Sequence, residues 1–333
     1  MAGRRFRVPV IAAALAGCLV MAGCSGGGGS GLSSPGNLEK TNLTVAVVPA
    51  LDSAGVYIAQ MRGYFADVGL HVTIVPAISG ADVIAGQESG KIDASSGNYV
   101  SYILADANPK HPANLRIIAP GSVMQPSNQV IMVPADSKIQ TVSQLQNQTV
   151  AVNAPNNIGT LLVESVLSDS AIANPTTAVT FKTMPFPAMA AALARHEVAA
   201  AWMPEPFVSQ AEQQVGAVPL ADADQGLSQN IPIAGYVVTA SWLKKYPHTA
   251  AAFQAAIEKA QAVAATDPAA VERGMAKFAG APAGTAAIAA QPEFPTVSNP
   301  LLIQRLADLM LSPSALLQQQ FHTSVMFQGV PKG

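Results

Sequence analysis

From Leu43 to Thr239, short β-branched runs alternate with segments of helical length, and no other feature constrains the fold as much. Strands are expected at 44–48, 71–75, 92–95, 129–133, 149–152, 179–183, 198–202 and 237–239. Helices are expected at 55–62, 82–89, 98–106, 161–168, 187–195 and 205–214, with a short turn at 142–145. Pro49, Gly63 and Gly90 punctuate them, and Pro187 opens one helix at its first turn. Strands and helices of these lengths imply βαβ units with right-handed crossovers in mainly parallel sheets. After residue 239 helices dominate. The expected class is therefore α/β, with two similar halves and a helical C-terminal return.

The N-terminus reads as an export segment. Arg4, Arg5 and Arg7 precede an uncharged apolar stretch from Val8 to Gly23, shorter than the roughly 20 residues of a membrane span. It ends in Met21-Ala22-Gly23-Cys24, followed by Ser25 and a Gly-rich run. Small residues before a cysteine resemble a bacterial lipobox, which makes Cys24 the candidate lipidation site. Cys18, in Leu15-Ala16-Gly17-Cys18, matches that pattern more literally. Cutting there would leave Leu19-Val20-Met21 as a greasy terminus, whereas Cys24 leaves a polar Ser/Gly tether. Residues 1–23 are thus expected to be a signal peptide and 24–41 a tether. The protein is expected outside the cytoplasm, held to the bacterial membrane by lipid.

Charge narrows the partners. The chain carries 18 Lys and Arg against 20 Asp and Glu. Loss of residues 1–23 removes three arginines and no acid, leaving net −5. Such a chain has no basic footprint for nucleic acid. Catalytic patterns fail on context. Gly23-Cys24-Ser25-Gly26-Gly27 and Gly26, Gly28, Gly31 match G-x-S-x-G and G-x-G-x-x-G but lie in the tether. His196-Glu197 lacks the second histidine of a zinc helix, because Ala200 stands there. The other histidines are scattered, so no metal site, cofactor or enzymatic role is expected.

Val45–Val48, Val56-Tyr57-Ile58-Ala59, Gly63-Tyr64-Phe65 and Gly69-Leu70-His71-Val72 resemble the start of the type II periplasmic binding proteins. The subgroup is that of nitrate, aliphatic sulfonates, taurine and thiamine-pyrimidine precursors (SsuA-like, NMT1-like). The resemblance continues at Ser89-Gly90-Lys91-Ile92-Asp93, Val142–Val152 and Trp202-Met203-Pro204-Glu205-Pro206-Phe207. It implies two lobes, residues 42–130 with 236–333 and residues 131–235, crossing near Asn128–Val133 and Ile231–Tyr236. It also implies a monomer that captures a small polar solute and delivers it to the permease and ATPase subunits of an ABC importer. Asn156–Thr160 replaces the family's Gly-Ser-Thr loop, so the resemblance leaves the ligand open.

In parallel sheets, ligands sit beyond the strand carboxyl ends, among loops leading into helices. The residues placed there are Asp52, Ser53, Ala54, Ser79, Gly80, Asn98, Tyr99, Asn157, Gly159, Thr160, Trp202, Glu205 and Tyr236. None is basic. Amide and hydroxyl donors suit an anion, while Asp52 and Glu205 suit an amine or zwitterion. Each position has a structural alternative: caps at Ser53 and Thr160, backbone approach at Gly80 and Gly159, core packing at Tyr99, Trp202 and Tyr236. A secreted lyase or pyrimidine-synthase-like enzyme on this fold, or a sensing partner of a membrane receptor, are the other functions considered.

Overall fold

The computed structural model describes residues 38–331, except 283 and 313. The expected signal peptide, Cys18, Cys24 and most of the tether lie outside the described residues. Ten strands form two five-stranded mixed sheets. They are β1 (Asn42–Val47), β2 (His71–Pro76), β3 (Ala94–Asn98), β4 (Leu115–Val123), β5 (Gln129–Val133), β6 (Thr149–Val152), β7 (Thr180–Thr183), β8 (Ala200–Pro204), β9 (Val218–Asp222) and β10 (Pro232–Thr239). The first sheet is ordered β2-β1-β3-β10-β4 and the second β7-β6-β8-β5-β9. In each, the β1-type pairings are parallel and one inserted strand is antiparallel to both neighbours: β10 in the first and β5 in the second. The α/β class holds, and reversed strands make the sheets mixed.

Two strands, β4 and β9, are absent from the sequence expectation. Both contain proline, Pro120 and Pro219, and both are edge strands, where a missing N–H breaks no ladder on the open side. The irregular edge at Pro120 and Gly121 is satisfied by Gln261, whose Nε2 donates to both carbonyls and to Pro295 O. The chain passes between sheets at residues 124–128 and 223–231, so boundaries at 130 and 235 would cut through β5 and β10.

The helices are α1 (Ala54–Arg62), α2 (Tyr64–Asp67), α3 (Gly80–Glu88), α4 (Tyr99–Asp106), α5 (Ile158–Asp169), α6 (Phe186–Ala194) and α7 (Phe207–Val215). The C-terminal return supplies α8 (Ala240–Lys245), α9 (Pro247–Ala264), α10 (Pro268–Gly274), α11 (Thr285–Ile288) and α12 (Pro300–Leu311). One apolar cluster runs from α3 and α4 across the whole second sheet to α5–α7 and α12. A second fills the other face of the first sheet, under α1, α9 and α10. No helix among the described residues is long and apolar enough to cross a membrane.

Close approach of backbone to side chain fixes Gly235 in β10. A Cβ there would lie 2.6 Å from Cε1 of the buried Tyr99 ring. Gly235→Ala is expected to cost about 1–3 kcal/mol through overpacking. A urea-denaturation midpoint equal to that of the parent would show that the ring yields freely.

Candidate functional site

The carboxyl ends of both sheets face one cavity of about 40 Å³. From the first sheet it is lined by Val48, Ala50, Asp52, Ser53, Gly97, Asn98, Ile233 and Ala234. From the second it is lined by Gln129, Asn153, Ile158, Phe186, Trp202 and Pro204. The volume admits only a few waters, so the two halves are drawn together here. Direct bonds join them. Leu51 N donates to Glu205 O at 3.0 Å, Asn153 Nδ2 to Ile78 O at 3.1 Å, and Ala290 N to Glu205 Oε1 at 3.3 Å.

Asp52 is the charged centre of the cavity. It sits in the turn after β1, where Ser122 Oγ donates to Oδ1 at 2.6 Å and Gln129 Nε2 to Oδ2 at 3.2 Å. Both partners are neutral, and no ion pair reaches Asp52 among the described residues. Burial pushes its pKa up from 3.8 to about 6, against the pull of those two bonds. Gln129 is fully buried, and its Oε1 finds no partner.

The other sequence candidates divide into cavity wall, support and core. Ser53, Asn98 and Trp202 join Asp52 on the wall. Ser53 and Ser96 share a 2.8 Å hydroxyl bond. Asn98 caps α4, its Oδ1 accepting from Ser101 N at 2.9 Å. The Trp202 indole lies across the start of α5, where a Cβ on Gly159 would come within 2.8 Å of Cζ3, and it tilts against Phe186 at 5.7 Å. Its Nε1 is buried without a partner.

Support comes from helix starts. Asn157 caps α5 by accepting from Gly159 N and Thr160 N, and donates to Asn153 at 2.6 Å, which in turn reaches Ile78 across the cleft. Ser79 caps α3, and Gly80 packs on Ser101. Thr160 Oγ1 is buried and unpartnered. Ala54, Tyr99 and Tyr236 sit outside the cavity wall. Ala54 is buried in α1, Tyr99 packs on Gly235, and the Tyr236 hydroxyl accepts from Val56 N at 2.9 Å. The Glu205 carboxyl also points away, accepting from Ser209 N and Oγ, and burial raises its pKa.

Sequence reasoning missed Gln129, Asn153, Phe186 and Ile233 as wall residues. Gln129 and Ile233 lie at the starts of the reversed strands, where a purely parallel sheet would put the far end of the molecule. Asn153 follows β6 directly, and its position after a strand was a usable signal. Among the described residues, no group of three or more His, Cys, Asp or Glu could hold a metal ion.

Comparison with known proteins bears on the family and the fold. The model of the NMT1-like family matches residues 36–280. The chain belongs to the NMT1-like family. Its fold is that of the periplasmic binding proteins. The alkanesulfonate-binding protein SsuA from Xanthomonas axonopodis pv. citri, bound to MOPS, superposes with a TM-score of 0.72 at 19% identity, covering 87% of this chain and 99% of that one. The periplasmic aliphatic sulphonate binding protein SsuA from Escherichia coli gives 0.68 at 20% identity, over 86% and 92%. The periplasmic nitrate-binding protein NrtA from Synechocystis gives 0.63 at 17%, over 73% and 67%. No curated protein matches the sequence.

The hydrogen bonds of the structure give a second motif its role. In Ser89-Gly90-Lys91-Ile92-Asp93, Asp93 is buried and structural. It accepts from Lys40 Nζ at 2.5 Å, Trp242 Nε1 at 2.8 Å and Thr44 N at 2.9 Å, tying β1 to α8.

Proposed function

We propose that this NMT1-like chain is the lipid-anchored, extracytoplasmic substrate-binding protein of an ABC importer. It captures a small polar solute between two lobes and presents the closed form to a permease that an ATPase drives. The observation that carries this reading is the cavity at the carboxyl ends of both sheets, bounded by polar groups from each and bridged by hydrogen bonds between them. A site shared by two halves couples ligand to closure, because a solute touching both walls binds the closed state better than the open one. The lobes are the first sheet with the C-terminal return and the second sheet, joined at residues 124–128 and 223–231.

Mass spectrometry of the solute that co-purifies with the full chain tests the reading, together with thermal shift against sulfonates, nitrate, amines and pyrimidines. An unchanged bound solute and a raised Tm with at least one class are expected. Turnover of the solute would instead point to an enzyme. Diacylglyceryl on Cys24 in the N-terminal peptide, and release of Cys24→Ser protein from membranes, test the anchor.

A further inference from the structure

Among the described residues that line it, the cavity has one carboxylate, Asp52, and no cationic side chain. Asp52 is held by the neutral side chains of Ser122 and Gln129, and among the described residues no Lys, Arg or His lines the wall. Beside it, the buried Gln129 Oε1 is a second acceptor without a donor, because its amide nitrogen is committed to Asp52. These oxygens ask for N–H groups. Phe186 and Trp202, tilted at 58°, add aromatic wall, which attracts cations. An anion placed here would meet the Asp52 carboxylate in a water-poor space, where like charges repel strongly. The unpartnered donor on the same wall, Trp202 Nε1, can serve a neutral acceptor at the other end of the solute.

We propose that the cleft selects a small organic cation with N–H donors, an ammonium or amidinium, over an anion of the same shape. The inference rests on the reading of this cleft as the solute site. Asp52 supplies the counter-charge, Gln129 Oε1 accepts a second N–H, and the Phe186–Trp202 wall covers the apolar body.

The test uses the full chain in detergent and matched probes: benzamidinium, benzamide and benzenesulfonate, with methylammonium and nitrate as a smaller pair. Calorimetry is expected to show each cation binding at least about tenfold tighter than its matched anion. Asp52→Asn is expected to abolish that preference. Asp52→Asn should fold, since a turned Gln129 amide can pair with the new side chain, and its thermal transition checks this. Were the variant not to fold, the comparison of probes on the parent protein would still decide. Tighter binding of benzenesulfonate or nitrate, or an unchanged preference in Asp52→Asn, would overturn the inference and leave the solute-binding role standing. If no probe binds and no solute co-purifies, both fail.

Discussion

Truncating Trp202 to alanine is expected to remove about 3–5 kcal/mol of stability, the range for a large buried aromatic. The side chain is 2% exposed and sits where α5, α6 and β8 meet, over Gly159 and against Phe186. Because Nε1 has no partner, the loss is one of packing, and no hydrogen bond is given up. Trp202→Phe should therefore cost much less than Trp202→Ala. Alanine would also merge its void with the 40 Å³ cavity, so solute affinity should fall along with stability. Urea denaturation monitored by circular dichroism measures both variants. A cost for Trp202→Ala below about 1 kcal/mol would show that the indole's packing contributes little to stability.

The second large effect is a loss of stability as pH rises from mildly acidic to neutral. Burial lifts the pKa of Asp52 from 3.8 to about 6 and that of Glu164 from 4.5 to about 7. Both side chains are nearly inaccessible, at 6% and 4% exposure. Between the unfolded and folded values, the native state holds protons that the unfolded chain has released. Their stabilising contribution is thus complete below the unfolded pKa values and disappears as pH climbs through about 6 and 7. Together the two groups predict native protein about 4 kcal/mol less stable near pH 7.5 than near pH 5. Asp106, lifted to about 6 by burial, acts in the same direction. Glu39 acts oppositely. Burial raises its pKa, but bonds from Thr249 and His248 outweigh this and hold it at about 2, so its contribution is lost only in stronger acid. Denaturation midpoints across this range should fall with pH, and Glu164→Gln should flatten the upper part of the curve. A midpoint that rises toward neutrality would sink the prediction.

A profile of this sign fits the reading of the cleft. A carboxylate that destabilises the empty protein at neutral pH is one that a cationic solute would relieve, linking capture to stability.

The alternation of strands and helices was legible because apolar runs such as Val45–Val47 and Val150–Val152 are bounded by Pro, Gly and cap residues. The helix start at Ser79 was legible, but the cap alternatives at Ser53 and Thr160 fail. Ser53 makes no side-chain cap bond, and Thr160 lies inside α5 with Oγ1 unpartnered. Asn98 and Asn157 cap α4 and α5 instead. β4 and β9 were hidden because proline within a strand is tolerated only at an edge, and edge position is a property of the assembled sheet. The polar strand β3, Ala94-Ser95-Ser96-Gly97-Asn98, begins two residues and ends three residues later than the expected 92–95. It is buried without apolar alternation because Ser95 bonds Gln87 and Tyr102, and Ser96 bonds Ser53, all from other elements. Glu205 and Tyr236 show the opposite error. Glu205 directly follows the wall residue Pro204 and Tyr236 lies two residues after Ala234, yet their side chains turn to Ser209 and Val56, contacts that only the assembled fold supplies.

The sequence alone therefore determined the α/β class, the order of the main elements and the loops at the strand ends, since periodicity and capping act over a few residues. Tertiary structure decided which strands run backward, which loop residues face the cavity and which polar groups meet Asp52 there. Those choices depend on pairings between residues as distant as Asp52 and Gln129, and no local pattern records them.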